Sequence, residues 1–156
     1  MEKKSNLIIN FYKSQDINLL ANVYSLVKKT IDINEKLLIL VNNNNTKTLS
    51  EYIWSKESET FWAHGINDDD GQEFSKIWIS DDNTKNQISA KYICCLDGIL
   101  PKNISCFKKA FKFYVDGNET QTLIAREFWK LCSEKNYNCN HFYQDYSGKW
   151  HPNEFN

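Results

Sequence analysis

The run KLLILV at residues 36–41 constrains the fold more than any other part of the chain. Its unbroken aliphatic stretch is typical of a strand that is covered on both faces, as the strands of parallel sheets are. A predicted strand at 6–13 and a helix with Asp16 as its N-cap precede this run, and a helix at 46–56 follows the loop NNNN at 42–45. The order β-α-β-α predicts a parallel sheet with right-handed crossovers.

The second half of the chain is predicted to contain three more strands and one long helix. The strands are expected within 76–80, 91–98 and 107–117, and Asn118 is the expected N-cap of a helix over 119–135. The helical periodicity also predicts that three large apolar side chains face the core: Ile17, Trp54 and Leu131.

Together these elements predict a single α/β domain over residues 1–156. We expect a three-layer, Rossmann-like, mostly parallel sheet with helices on both faces, and a partly irregular tail over 137–156. The loops carry no phosphate-binding glycine pattern, since NNNN does not match GxxxxGK[ST]. Such a scaffold does not by itself supply a function.

Composition argues against two classes of partner. The net charge of −1 argues against broad binding to nucleic acid or to a membrane surface. No apolar run reaches the roughly 18 residues that a membrane span needs. The N-terminal residues carry no recognisable signal peptide, so we expect a cytoplasmic protein.

Candidate catalytic and metal-binding residues are few. Cys94 or Cys95 with His64 is a candidate nucleophile pair. Cys132, Cys139 and His141 are candidate zinc ligands. The first pair needs cysteines that fall in a predicted buried strand, and the spacing Cx6CxH matches no common structural zinc site. The acidic residues at 68–70 and 81–82 lack the ligand rhythm of a calcium loop. We therefore expect no catalytic residue, metal or cofactor; a small cysteine- or metal-dependent α/β enzyme is the alternative.

Arg126 is the only arginine in a chain with 19 Lys and Arg residues. On the predicted helix it lies one turn from Trp129 and from Lys130. A guanidinium binds a carboxylate through two parallel hydrogen bonds, which an ammonium cannot do, and an indole offers an apolar wall. This group suits the C-terminal residue of a peptide. Alternatively, Arg126 pairs with Glu127 while Trp129 fills the edge of the core.

A second aromatic group lies in IWSKESETFWAHG at 53–65, where Trp54, Phe61 and Trp62 fall at the end of a helix and the start of a loop. These side chains either fill the core beneath the loop or form a protein–protein hot spot, in which exposed aromatic residues are enriched. The sequence leaves both interpretations open.

Several segments also identify a family. In chain order they are FY at 11–12, IWSKESETFWAHG, KIWIS, LDGILP, YVDGNETQTLIAREFWKLCSEKNY and HFYQDYSGKW. In their order and spacing these segments resemble the chi subunit of bacterial DNA polymerase III holoenzyme.

The resemblance implies a non-catalytic accessory subunit of the clamp-loader assembly. Such a subunit binds the acidic C-terminal tail of single-stranded DNA-binding protein, ending in Asp-Ile-Pro-Phe, and links it to the nucleoid-associated replisome during DNA replication. The implied tail-binding residues are Arg126, Trp129, Lys130, Val115 and Tyr137. A second partner, the psi subunit or a helicase, is implied at Trp54, Phe61, Trp62 and His64. Contact with DNA is expected to be indirect, and contact with a membrane is not expected.

Overall fold

A computed structural model of the chain describes residues 6–56, 64–67, 69, 72 and 75–153. Within this part, eight strands form one sheet and three α-helices pack on it. The strands are β1 (Ile8–Ser14), β2 (Leu37–Leu40), β3 (His64–Ile66), β4 (Ile77–Ser80), β5 (Tyr92–Cys95), β6 (Lys109–Val115), β7 (Asn138–Gln144) and β8 (Trp150–Pro152). The helices are α1 (Leu19–Asp32), α2 (Asn43–Lys56) and α3 (Glu119–Glu134).

The strands follow the order β3-β4-β2-β5-β6-β1-β7-β8 across the sheet. Every neighbouring pair is parallel except the antiparallel pair of β7 and β8. The predicted mostly parallel α/β sheet is therefore confirmed.

Two hydrophobic clusters show that helices cover both faces of the sheet. On one face, α1 and α2 pack their apolar side chains against alternate residues of β2, β4, β5 and β6. On the other face, α3 packs against the intervening residues of the same sheet. All four residues of β2 are buried, because this central strand is covered from both sides. The three-layer arrangement predicted from the run at 36–41 is thus confirmed.

The starts of the first two helices differ from the prediction. Asp16 begins a short 3-10 turn, Asp16–Asn18, and α1 starts only at Leu19, so Asp16 is not its N-cap. The predicted loop NNNN instead supplies the first turn of α2. There the Oδ2 atom of Asp97 accepts hydrogen bonds from the Asn42 amide and from Asn45 Nδ2, both at 3.0 Å. A carboxylate from a distant loop therefore takes the place of a local cap, which local sequence cannot reveal.

Three side chains expected in the core are exposed. Ile17 is 92% exposed, because the 3-10 turn rotates it away from the sheet. Trp54 and Leu131 are 41% and 48% exposed. Each is adjacent in sequence to a fully buried helix residue, Ile53 or Cys132, and one residue corresponds to about 100° of rotation around a helix.

Segments predicted as irregular contribute strands to both edges of the sheet. The loop expected to begin within 53–65 contains β3, and the tail contains β7 and β8. The amides of Gln15 and Asn22 donate hydrogen bonds to Gln144 Oε1 at 3.2 and 3.0 Å and hold the end of β7 beside β1. In the described part of the chain, no helix combines the length and the apolar character needed to cross a membrane.

Candidate protein-binding site

Helix α3 presents three of the five predicted tail-binding residues on its outer flank. Its N-terminus is capped as predicted, since the Asn118 side chain accepts a hydrogen bond from the Gln121 amide at 3.0 Å. Ala125, Phe128 and Cys132 form the buried stripe of the helix. The residues beside this stripe are therefore turned outward: Arg126 and Lys130 are exposed and Trp129 is half-buried.

The indole of Trp129 is held in place by ring contacts with two strands. Its centroid lies 5.1 Å from that of Phe11 in β1, with the rings tilted by 69°, and 6.3 Å from that of His141 in β7, at 88°. Edge-to-face contacts of this kind stabilise one orientation of each ring. Trp129 therefore forms a fixed apolar surface beside the two exposed cations of α3.

A buried polar pair lies beneath this surface. The Tyr114 hydroxyl and His141 Nε2 are 2.6 Å apart, and His141 Nδ1 is hydrogen-bonded to the Asn153 side chain. Burial lowers the pKa of His141, although the bond to Asn153 opposes that shift. Burial likewise raises the pKa of the Tyr114 hydroxyl, so this pair is neutral near pH 7.

Two cations act on the Tyr114–His141 pair. The positive charge of Arg126 opposes the rise in the pKa of Tyr114, and the charge of Lys13 adds to the lowering of the pKa of His141. Lys13 also forms an ion pair with Asp116, with 3.4 Å between Nζ and Oδ1. Arg126 and Lys13 therefore act on the same region of the α3 face.

Sequence analysis missed Lys13. Alternation along β1 contained the signal, because Ile9, Phe11 and Lys13 project from the same face of a strand. The face itself becomes known only from the contact of Phe11 with Trp129.

The two other predicted tail-binding residues lie at different places. Tyr137 is half-buried and packs on the same cluster as Trp129. Val115 ends β6 and, by strand alternation, projects with Phe113 toward the α1 face. There it lines a cavity of about 820 Å³ together with Leu19 and Leu20. The structure thus groups four of the five predicted residues and places the Val115 side chain toward the other layer.

Three lysines at or just before β6 have different environments. Lys112 is fully buried within the sheet, and Lys109 projects toward the α1 face with Phe111. Lys108 is exposed and precedes the first residue of β6. Strand alternation therefore turns Lys109 away from Arg126, and burial keeps Lys112 from contact with a ligand at the surface.

The predicted second-partner surface is only partly described. Trp54 is exposed in the last turns of α2, so it does not fill the core. His64 begins β3 at the edge of the sheet. Phe61 and Trp62 lie outside the described residues.

The geometry at the candidate nucleophiles does not favour catalysis. Cys94 and Cys95 are fully buried, and this burial raises the pKa of both thiols, that of Cys95 to about 12. A thiol in this state contains almost no thiolate near neutral pH, and the thiolate is the nucleophile.

The geometry at the candidate zinc residues does not favour a metal site. A hydrogen bond with Cys139, together with burial, raises the pKa of the Cys132 thiol, and both ring nitrogens of His141 contact other side chains. Among the described residues, no group of three or more His, Cys, Asp or Glu side chains is placed to bind a metal ion. Residues 68 and 70 of the acidic run lie outside the described part.

Comparison with known proteins agrees with these features. No curated protein sequence matches the chain significantly. The family model described as DNA polymerase III chi subunit, HolC, matches residues 8–140, which includes β1 to α3 and most of the site on α3. The chain therefore belongs to the DNA polymerase III chi subunit family.

Proposed function

We propose that this DNA polymerase III accessory subunit binds the acidic C-terminal tail of single-stranded DNA-binding protein and links it to the replisome. One observation carries the proposal: Arg126 is exposed beside the half-buried, orientationally fixed indole of Trp129 on α3. A fork-shaped cation next to an apolar wall matches a terminal carboxylate attached to an aromatic residue.

Each tail group has a counterpart on this flank. The guanidinium of Arg126 binds the terminal carboxylate, and the terminal Phe ring packs against Trp129 and Tyr137. Lys13 and Lys130 attract the acidic residues of the tail, although screening limits the contribution of such exposed charges. Val115 is a contact that only the family resemblance implies, because its side chain faces the α1 layer while its backbone amide donates a hydrogen bond to Gln121 Oε1 at 3.0 Å.

A titration with a tail peptide ending in Asp-Ile-Pro-Phe tests the proposal. Arg126→Lys keeps the charge and removes the two parallel hydrogen bonds, so we expect about tenfold weaker binding, or roughly 1.4 kcal/mol. The matched control is the same peptide with an amidated C-terminus. Because this peptide has no terminal carboxylate, Arg126→Lys should change its already weak affinity very little.

Two results would contradict the assignment of Arg126. One is unchanged affinity of Arg126→Lys for the acid peptide. The other is an equal loss for the acid and the amidated peptide, since that would show that the guanidinium contacts something other than the terminal carboxylate.

A second partner, the psi subunit or a helicase, is proposed to bind at Trp54, Phe61, Trp62 and His64. The exposed indole of Trp54 beside the edge strand β3 supports this proposal, since large exposed aromatic residues are frequent hot spots. Trp54→Ala should weaken binding of that partner and leave the tail-peptide affinity unchanged; an unchanged partner affinity would remove Trp54 from the interface.

We further propose that the subunit has no catalytic activity of its own. The buried, protonated thiols of Cys94 and Cys95 support this over the cysteine-enzyme alternative. The subunit would then act by joining two assemblies, and no cofactor or direct DNA contact is needed for the tail-binding function.

A further inference from the structure

A groove of about 580 Å³ lies on the face of the sheet opposite α3. Helix α1 forms one wall, and strands β6, β1, β7 and β8 form the floor. The groove has a size typical of ligand sites, which occupy about 300–1,000 Å³. The tail-binding proposal does not use it.

The floor of the groove is a row of aromatic rings in register across three strands. Tyr12 of β1 pairs with Phe113 of β6 and Phe142 of β7. The Tyr12 ring lies 5.1 Å from that of Phe113 and 5.3 Å from that of Phe142, with interplanar angles of 22° and 16°. Because stacked rings from neighbouring strands stand upright on a sheet, their edges point into the groove.

Trp150 of β8 completes the row in a different orientation. Its ring centre is 5.3 Å from that of Tyr12, and the two planes are inclined at 78°. Ring edges carry partial positive charge and attract the faces of other aromatic systems. Tyr12, Phe142 and Trp150 are each half-buried, so part of this surface is accessible to a planar ligand.

Positive charge borders the aromatic floor. Lys29 in the last turn of α1 and Lys109 at the start of β6 both line the groove. The ammonium of Lys109 lies 5.3 Å from the centre of the Phe111 ring, so it is held over the floor. The described lining residues include no Asp or Glu. The groove therefore complements a ligand with flat rings and negative charge.

We propose that this aromatic groove binds single-stranded nucleic acid directly, with bases on the Tyr12–Phe142–Trp150 row and phosphates near Lys29 and Lys109. Successive bases along a strand match successive rings across the floor, and because a ring edge can meet the π-face that every base has, this contact tolerates any sequence. An acidic peptide offers negative charge but no regular series of rings, so the strand is the better match.

Two cations imply a small, weakly salt-dependent site. For single strands, the slope of log K against log salt is about −0.7 for each neutralised phosphate, which gives about −1.4 for two. The net charge of −1 for the whole chain is compatible with this, because the site depends on a local pair of lysines and not on a basic surface.

Fluorescence anisotropy of a labelled oligothymidylate tests the proposal at several salt concentrations. Lys29→Gln should weaken binding about threefold to tenfold and reduce the magnitude of the salt slope by about 0.7. Lys28→Gln is the matched control, since Lys28 is the adjacent exposed lysine on α1 and lies near Tyr24 outside the groove. Trp150→Leu should weaken binding without changing the salt slope.

Each possible outcome decides the question. Weaker binding by Lys29→Gln and Trp150→Leu, with Lys28→Gln and Arg126→Lys close to the wild type, supports the groove as the site. No binding at low salt, equal losses for Lys28→Gln and Lys29→Gln, or an acidic peptide displacing the oligonucleotide from the groove would overturn it. Because Arg126 lies on the other face of the sheet, the result is independent of the tail-binding proposal.

Discussion

Lys112 is an unusual residue for the middle of a sheet. It is fully buried in β6, and its Nζ atom donates a hydrogen bond to the Phe113 carbonyl oxygen at 3.2 Å. Burial lowers its pKa, while the neighbouring Cys95 and Cys94 partly oppose that shift. Holding an amine in this place costs free energy, because a charged group loses its hydration and a neutral one retains only a weak bond.

We therefore expect Lys112→Met to raise the free energy of unfolding at neutral pH by about 1–3 kcal/mol. The native state binds fewer protons than the unfolded chain between the lowered native pKa and the ordinary lysine pKa of about 10.4. The stability of the wild type at this site consequently rises with pH across that range. The advantage of the variant should shrink as pH increases, as measured by urea denaturation at several pH values.

The two buried thiols also contribute to the pH dependence of the free energy of unfolding, with the opposite sign. Because the pKa values of Cys94 and Cys95 are raised, their contribution to stability falls once the pH exceeds the ordinary thiol pKa, in both the wild type and the variant. The charge of Lys112 also lowers the pKa of both thiols, so the difference between the two proteins reports Lys112 alone only below the ordinary thiol pKa. A difference between the wild type and Lys112→Met that stays constant across the pH range would refute the account.

At the scale of elements, helix α3 was the most predictable and β7 the least. The stripe of Phe128 and Cys132, the cap at Asn118 and the left-handed Asn136, with φ of 59°, all follow from local patterns. Strand β7 has a mostly polar sequence, NCNHFYQ, and forms because β1 offers an open edge. Pairing with a distant strand is not encoded in local hydrophobicity.

The contact between β3 and β4 allows a sharp test at this scale. A Cβ atom at Gly65 would lie 2.5 Å from Cη2 and Cζ3 of Trp78, a fully buried ring. Gly65→Ala should therefore lower the free energy of unfolding by about 1–3 kcal/mol. In a Trp78→Leu background, which is itself destabilised, the additional cost of Gly65→Ala should largely disappear. Additive losses in this double-mutant cycle would show that the ring is not the obstacle.

At the scale of the whole molecule, the chemistry of the proposed tail site was predictable and its surroundings were not. The pairing of Arg126 with Trp129 follows from helix geometry and from the composition of the chain. The proposed role of Lys13 depends on the strand order, since β1 and β6 are neighbours although about 100 residues separate them, and the environment of Val115 depends on which face of β6 is covered by α1. The aromatic row of Tyr12, Phe113 and Phe142 was missed for the same reason.

The sheet also determines how the two proposed sites interact. The tail site lies on the α3 face and the aromatic groove on the α1 face, so bound tail and bound strand are separated by the whole sheet. Both ligands are anionic, but charges further apart than a Debye length of roughly 8 Å at 0.15 M salt repel each other weakly. We therefore expect the tail-peptide Kd to change less than about twofold when the groove is saturated with oligothymidylate. Titration of the peptide with and without the oligonucleotide measures this coupling, and mutual exclusion would place both ligands on one face.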